Sequence, residues 1–190
     1  MNQIYLLRHG ENRANITKEF SSDRVNYPLN EKGQLQAAQT GHFLKDKDIR
    51  AIYSSPLARA IETADIIGEI LGLKPIVRKA FQEFNVGELE FKSPNRENWA
   101  LYHKITHAWA DGDREIAFPG GENYEQVWER FAQGLREAIQ AFPDQTLLIV
   151  GHGGIFTVCL QDLCPGVDVS KLLKSNIHNA SLSKIAVKLD

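Results

Sequence analysis

The sequence predicts an α/β fold, a three-layer sandwich with a mostly parallel central sheet and helices on both faces. Two observations predict it. Short apolar runs alternate with segments of helical periodicity along the chain. Helix start and stop residues punctuate those segments. At 190 residues, the chain suits one domain, 1–190, with a sizeable core.

Each element follows in order. Ile4 to Arg8 reads as a buried strand that ends at Gly10. Residues 11–29 are polar and irregular, closed by Tyr27-Pro28-Leu29. Asn30 is an N-cap for a helix over 31–45, with Ala37, Ala38, Gly41 and Leu44 as its stripe. A short strand, Ile49 to Tyr53, follows. Ser55 as N-cap and Pro56 at the first helical position open the next helix. It carries Ala60, Thr63, Ala64, Ile67 and Leu71 on one face and stops at Gly72. Pro75 to Val77 is a short strand. The polar, aromatic stretch 92–120 reads as helical turns inserted outside the main layers. Asn123 and Gln126 form a capping box for a helix burying Val127, Phe131, Leu135, Ala138 and Phe142. Thr146 to Val150 is a strand, Gly151-His152-Gly153-Gly154 turns into another helix, and Ser183 to Leu189 is a last strand at an edge.

Bulk properties narrow the function. The net charge of -2 supplies no global field for nucleic acid or an anionic membrane, so attraction for an anion must be local. No apolar run is long enough to span a bilayer. Met1-Asn2-Gln3-Ile4-Tyr5 has no basic region before its apolar residues, so no signal peptide is expected and the cytoplasm is the expected location. Cys159 and Cys164 fit neither a zinc nor a redox spacing and read as reduced thiols.

In open α/β sheets, ligands bind beyond the carboxyl ends of the strands. That rule brings Arg8-His9 and Gly151-His152 to one sheet edge. The strand ending at Tyr53-Ser54-Ser55 feeds a helix whose first turn holds Arg59, and Glu83 lies in a following loop. Two imidazoles, two guanidiniums and a carboxylate suit attack on a phosphate. Arginine forks onto phosphate oxygens and neutralises charge as the transition state forms. A neutral imidazole is a nucleophile, and nearby cations keep it unprotonated. Glycines beside each histidine allow close approach, and helix N-termini after residues 54 and 152 offer amide donors. An isolated Arg-His-Gly is a weak motif; the combination carries the argument.

Those residues resemble a known family. Leu6-Leu7-Arg8-His9-Gly10-Glu11 is similar to the signature of the histidine phosphatase superfamily, also called phosphoglycerate mutase-like. Asn15 falls where that family often places a phosphate-touching asparagine. Pro28-Leu29-Asn30-Glu31-Lys32-Gly33, Ser54-Ser55-Pro56-Leu57-Ala58-Arg59, Phe81-Gln82-Glu83, Val150-Gly151-His152-Gly153-Gly154 and Asn176 to Ser183 resemble its further segments, in order. The resemblance implies His9 as the phosphorylated residue. It implies Arg8, Asn15, Arg59, His152 and Gly153 as phosphate ligands, Glu83 as general acid-base, and no metal or cofactor. After Gly87 the chain departs from the family's Trp-Glu-Gly, which leaves Glu88 as a competing acid.

The expected reaction is hydrolysis of a small phosphomonoester through a phosphohistidine. Sugar phosphates, phosphoglycerate and α-ribazole phosphate are the types the resemblance implies. Family mutases are usually longer, so the compact chain favours hydrolysis. A phosphoglycerate-type phosphomutase, a protein phosphohistidine phosphatase and a non-catalytic phosphoryl-binding module are the alternatives. Arg96, Lys104 and Arg114 are candidates for reading a second anion, against the reading that they are simply solvated. The 92–120 stretch is expected to be a helical insert near the active site, with its rim setting substrate identity; Trp99 and Trp109 are read as pinning it, and His42, His103, His107 and His178 as non-catalytic.

Overall fold

The computed structural model describes residues 1–174 and 177–188. Five strands form one sheet: β1 (Asn2–Arg8), β2 (Ile49–Ser54), β3 (Ile76–Val77), β4 (Thr146–Gly151) and β5 (Leu182–Val187). Their order is β3-β2-β4-β1-β5. β4 pairs in parallel with both β1 and β2, and β2 with β3. β5 runs antiparallel to β1 at the edge. Leu189, the expected end of that last strand, and Asn176 lie outside the described residues.

Strand alternation builds the layers. Ile4, Leu6, Leu147 and Ile149 face one core, while Tyr5, Leu7, Leu148 and Val150 face the other. The second core is closed by Leu44 of α2 (Glu31–Leu44) and by Ala60, Ala64 and Ile67 of α3 (Ala58–Leu71). The first is closed by α4 (Arg96–Ala110), α5 (Tyr124–Ala141) and α6 (Gly153–Leu163). Two short helices, α1 (Arg13–Thr17) and α7 (Val169–Lys174), and two 3-10 turns, Lys79–Phe81 and Gly87–Phe91, complete the described elements. Among the described residues, no helix is long and apolar enough to cross a membrane.

Three local expectations differ from the structure. The 11–29 stretch contains α1, opened by a capping box between Asn12 and Asn15. α3 starts at Ala58, beyond Pro56. The Ser55 N–H is spent on the Val150 carbonyl (2.9 Å), and its hydroxyl accepts from the Leu57 N–H (3.3 Å) and meets His152. A residue held to the strand edge in that way closes a turn before the helix begins. Finally, the 92–120 stretch is not a set of outlying turns. It holds the continuous helix α4, capped by Asn95, whose Ile105 and Trp109 are buried in the first core. Trp109 also donates from its indole N–H to the Ile116 carbonyl (2.7 Å) and is fixed there.

Candidate active site

The parallel pairing sets the site. Arg8 and Gly151 are register partners at the ends of β1 and β4. The His9 N–H donates to the Gly151 carbonyl (3.0 Å), and the Ser55 N–H to the Val150 carbonyl. The first residues past three strands are thus tied side by side. His9 and His152, 3% and 1% exposed, sit there with ring centroids 5.2 Å apart. The turn after His9 closes tightly on α2. A Cβ on Gly10 would lie 2.4 Å from the Gly33 carbonyl oxygen, so neither chain segment tolerates a side chain there. Glu11 holds this contact through Asn30 and Lys32, and has no place in the cavity.

His9 Nδ1–H donates to the Gly10 carbonyl (2.7 Å). That bond fixes the neutral tautomer with the lone pair on Nε2. Nε2 accepts from Arg59 Nε–H (3.1 Å). Burial, then Arg59 and Arg8, hold the His9 pKa well below its ordinary value. Burial does the same to His152, helped by Arg59, His9, Arg8 and Arg130. His152 Nε2 shares a 2.7 Å hydrogen bond with Ser55 Oγ, while its Nδ1 is buried with no partner among the described residues. Arg8 Nε is buried in the same condition, and its Nη1 donates to the Ile177 carbonyl. Arg8 Nε–H is suited to an anion, and so is His152 Nδ1 when it carries the ring proton and Nε2 accepts from the Ser55 hydroxyl.

Arg59, 2% exposed, is locked by its own donors. Nη1 reaches Ser21 Oγ (3.0 Å) and Nη2 the Ser21 carbonyl (2.7 Å). Burial lowers its pKa to about 10, against the pull of Glu83, so it stays a cation at neutral pH. The loop it grips is held in turn by Glu90. That carboxylate accepts from the amides of Ser22, Asp23, Arg24 and Val25 (2.7–3.1 Å) and from Ser22 Oγ. Burial would raise Glu90, but the four amides outweigh it and hold its pKa below the ordinary value.

Glu83 meets the start of α6. It accepts from the amides of Ile155 (2.7 Å), Gly154 (3.0 Å) and Phe84 (3.1 Å). A Cβ on Gly154 would lie 2.8 Å from both carboxylate oxygens, so only glycine lets Glu83 dock. Burial still dominates, and the Glu83 pKa is raised. Two α6 amides that the sequence reading offered to phosphate are therefore spent on Glu83. Gly153 remains in the cavity wall, with its missing side chain making room for Arg8. Asn15 faces the same cavity. Its carboxamide oxygen accepts from Asn12 N–H (3.1 Å) and Asn179 Nδ2 (2.8 Å), so its NH2 is the half left for a ligand.

Arg8, Asn15, Arg59, Glu83 and Gly153 thus line one cavity of about 230 Å³. His9 and His152 are not in its wall; His9 is tied to it through Arg59, and His152 lies beside His9. Glu88 is not in the cavity wall, and Glu83 is. Sequence reasoning missed Ser21, Ser22 and Glu90, which lie where no periodicity marks them. It also missed Thr63, whose hydroxyl binds the Gly10 N–H (3.1 Å) and the Arg59 carbonyl (2.7 Å). Thr63 could have been found from its place one turn after Arg59 on the same helix face. Trp99 and His103 line the cavity, and Trp99 also packs on Phe20 and the first core, as a residue pinning the insert would. Arg114 does not line the cavity; it pairs with Asp162 (2.8 Å) and lies over Tyr124.

Comparison with known proteins gives the family. The model of the histidine phosphatase superfamily (branch 1) matches residues 4–190. The chain belongs to the histidine phosphatase superfamily. This histidine phosphatase, a phosphoric monoester hydrolase, is 32% identical over 185 residues to the uncharacterized phosphatase PhoE of Bacillus subtilis (strain 168), covering 97% of this chain and 88% of that one. It is 30% identical over 190 residues to a Cronobacter sakazakii protein named as a probable phosphoglycerate mutase, GpmB, with 97% and 85% covered. Among solved structures, a mycobacterial glucosyl-3-phosphoglycerate phosphatase superposes with a TM-score of 0.81 at 25% identity, over 98% of this chain and 93% of that one. Bacillus stearothermophilus YhfR superposes with a TM-score of 0.80 at 25% identity, over 99% and 92%.

Proposed function

We propose that this histidine phosphatase hydrolyses a small phosphomonoester in two in-line steps through a phosphohistidine on His9, without a metal. The observation that carries the reading is the His9 ring. Its Nδ1–H is committed to Gly10, and its Nε2 lone pair lies in contact with the Arg59 guanidinium. The attacking nitrogen and the charge that would stabilise the transferring phosphoryl group are therefore already adjacent.

In the first step the Nε2–phosphorus bond forms and the bond from phosphorus to the alcohol oxygen breaks. Glu83 gives its proton to that oxygen, and its raised pKa favours holding the proton beforehand. Arg8, Arg59, Asn15, His152 and the Gly153 turn hold the phosphoryl oxygens. In the second step Glu83 takes a proton from water, the water oxygen bonds to phosphorus, and the nitrogen–phosphorus bond breaks. Inorganic phosphate leaves and Glu83 is protonated again. The glucosyl-3-phosphoglycerate phosphatase among the structural relatives supports a small-molecule substrate for this chain.

The test is turnover of 4-nitrophenyl phosphate in excess chelator, with acid-quench detection of phosphohistidine. Turnover in chelator and a phosphoenzyme lost in His9→Ala are expected. Tight phosphate binding without turnover would overturn the enzyme reading, and full activity in His9→Ala would remove the nucleophile. Bisphosphate-primed isomerisation of phosphoglycerate that outpaces hydrolysis would replace the phosphatase by a mutase.

A further inference from the structure

We propose that the leaving-group side of the cavity is built for an uncharged, ring-bearing alcohol, and that Glu19 is the residue that turns away alcohols carrying a second anion. The proposal rests on the phosphatase reading and narrows its substrate class.

The first observation is charge. Among the described residues, the cations in the cavity wall are Arg8 and Arg59. Both are needed at the phosphoryl group, and Arg59 already contacts His9. None of Arg96, Lys104 and Arg114 lines the cavity. The wall instead contains a second carboxylate besides Glu83. Glu19 lines it, and its Oε2 is buried without a hydrogen-bond partner among the described residues. A carboxylate or second phosphate on the substrate would shed its water, find no unused cation and face Glu19 at close range. An alcohol with hydroxyl or N–H donors would satisfy that oxygen.

The second observation is shape and is independent of charge. Phe20 packs on Trp99 with ring centroids 4.5 Å apart, and Trp99 on Tyr102 at 5.1 Å. All three line the cavity, as does Leu173 of α7. Such a wall offers flat, apolar contact to a ring and nothing to a short, charged glycerate.

The experiment compares kcat/KM for phenyl phosphate and 3-phosphoglycerate by phosphate release, in wild type, Glu19→Gln and Trp99→Leu. Inhibition by inorganic phosphate checks that the base of the pocket is intact in each. Wild type is expected to favour phenyl phosphate by about 100-fold or more. Glu19→Gln is expected to raise kcat/KM on 3-phosphoglycerate by about tenfold. Trp99→Leu is expected to raise KM for phenyl phosphate more than for 3-phosphoglycerate. The proposal is overturned if wild type handles both substrates alike, or if Glu19→Gln shifts them equally. Absence of turnover on both substrates in wild type would instead mark failure of the phosphatase reading itself.

Discussion

Glu83 sits between opposing influences. Burial raises its pKa, while three amides and Arg59 pull it down, and burial wins. A carboxyl with a raised pKa keeps its proton to higher pH than a free one, which suits it to act as the acid. Glu83→Gln keeps the shape and removes the transferable proton. Its kcat is expected to fall by roughly 10² to 10⁴ with little change in KM, measured by steady-state kinetics. A fall of only a few-fold would remove Glu83 as the acid-base. The imidazoles predict a pH effect on stability. His9 and His152 are held neutral in the fold, whereas the unfolded chain protonates them below about 6.5. Stability is therefore lost as pH falls from that value. Glu83 works in the opposite sense: its raised pKa adds stability at low pH that is lost as pH rises through its folded value. Two imidazoles against one carboxyl leave a net loss. Urea midpoints should drop between about pH 7 and about pH 5.5, and drop less in His152→Asn.

At the scale of elements, the helix α6 begins on a carboxylate from another loop. Gly154→Ala would put a methyl group against both Glu83 oxygens, 2.8 Å away, and push that side chain off the helix. Activity should fall more than tenfold while circular dichroism stays native, since alanine favours the helix itself. The 22–25 loop depends on Glu90 in the same way. Glu90→Ala frees four amides and one hydroxyl and loosens the grip of Ser21 on Arg59. A destabilisation of roughly 2–4 kcal/mol by denaturant unfolding is expected, with weaker inhibition by inorganic phosphate. Unchanged phosphate inhibition would show that Arg59 is placed without this loop.

For the whole molecule, β4 is the keel, paired on both edges and buried on both faces. Leu148→Ala should cost about 2–5 kcal/mol in urea unfolding, because Leu148 fills the core between the sheet and the α2–α3 layer. Strand alternation, the capping signals at Asn30 and Asn123 and the glycine turns after β1 and β4 were all legible in the sequence. So was the meeting of His9 with His152, because a parallel sheet sends consecutive strand ends to one edge. The start of α3 and the packing of α4 were not legible, since they depend on partners far along the chain. Sequence by itself determined the α/β layering and the identity of the reactive groups, both of which follow from local periodicity and from residue chemistry. Tertiary structure alone decided which His9 nitrogen is free, what Glu83 docks on, how Glu90 holds Ser22 across 68 residues, and that Glu19 and Trp99 share a wall. Those contacts join segments whose spacing carries no pattern, and only the closed fold brings them within hydrogen-bonding range.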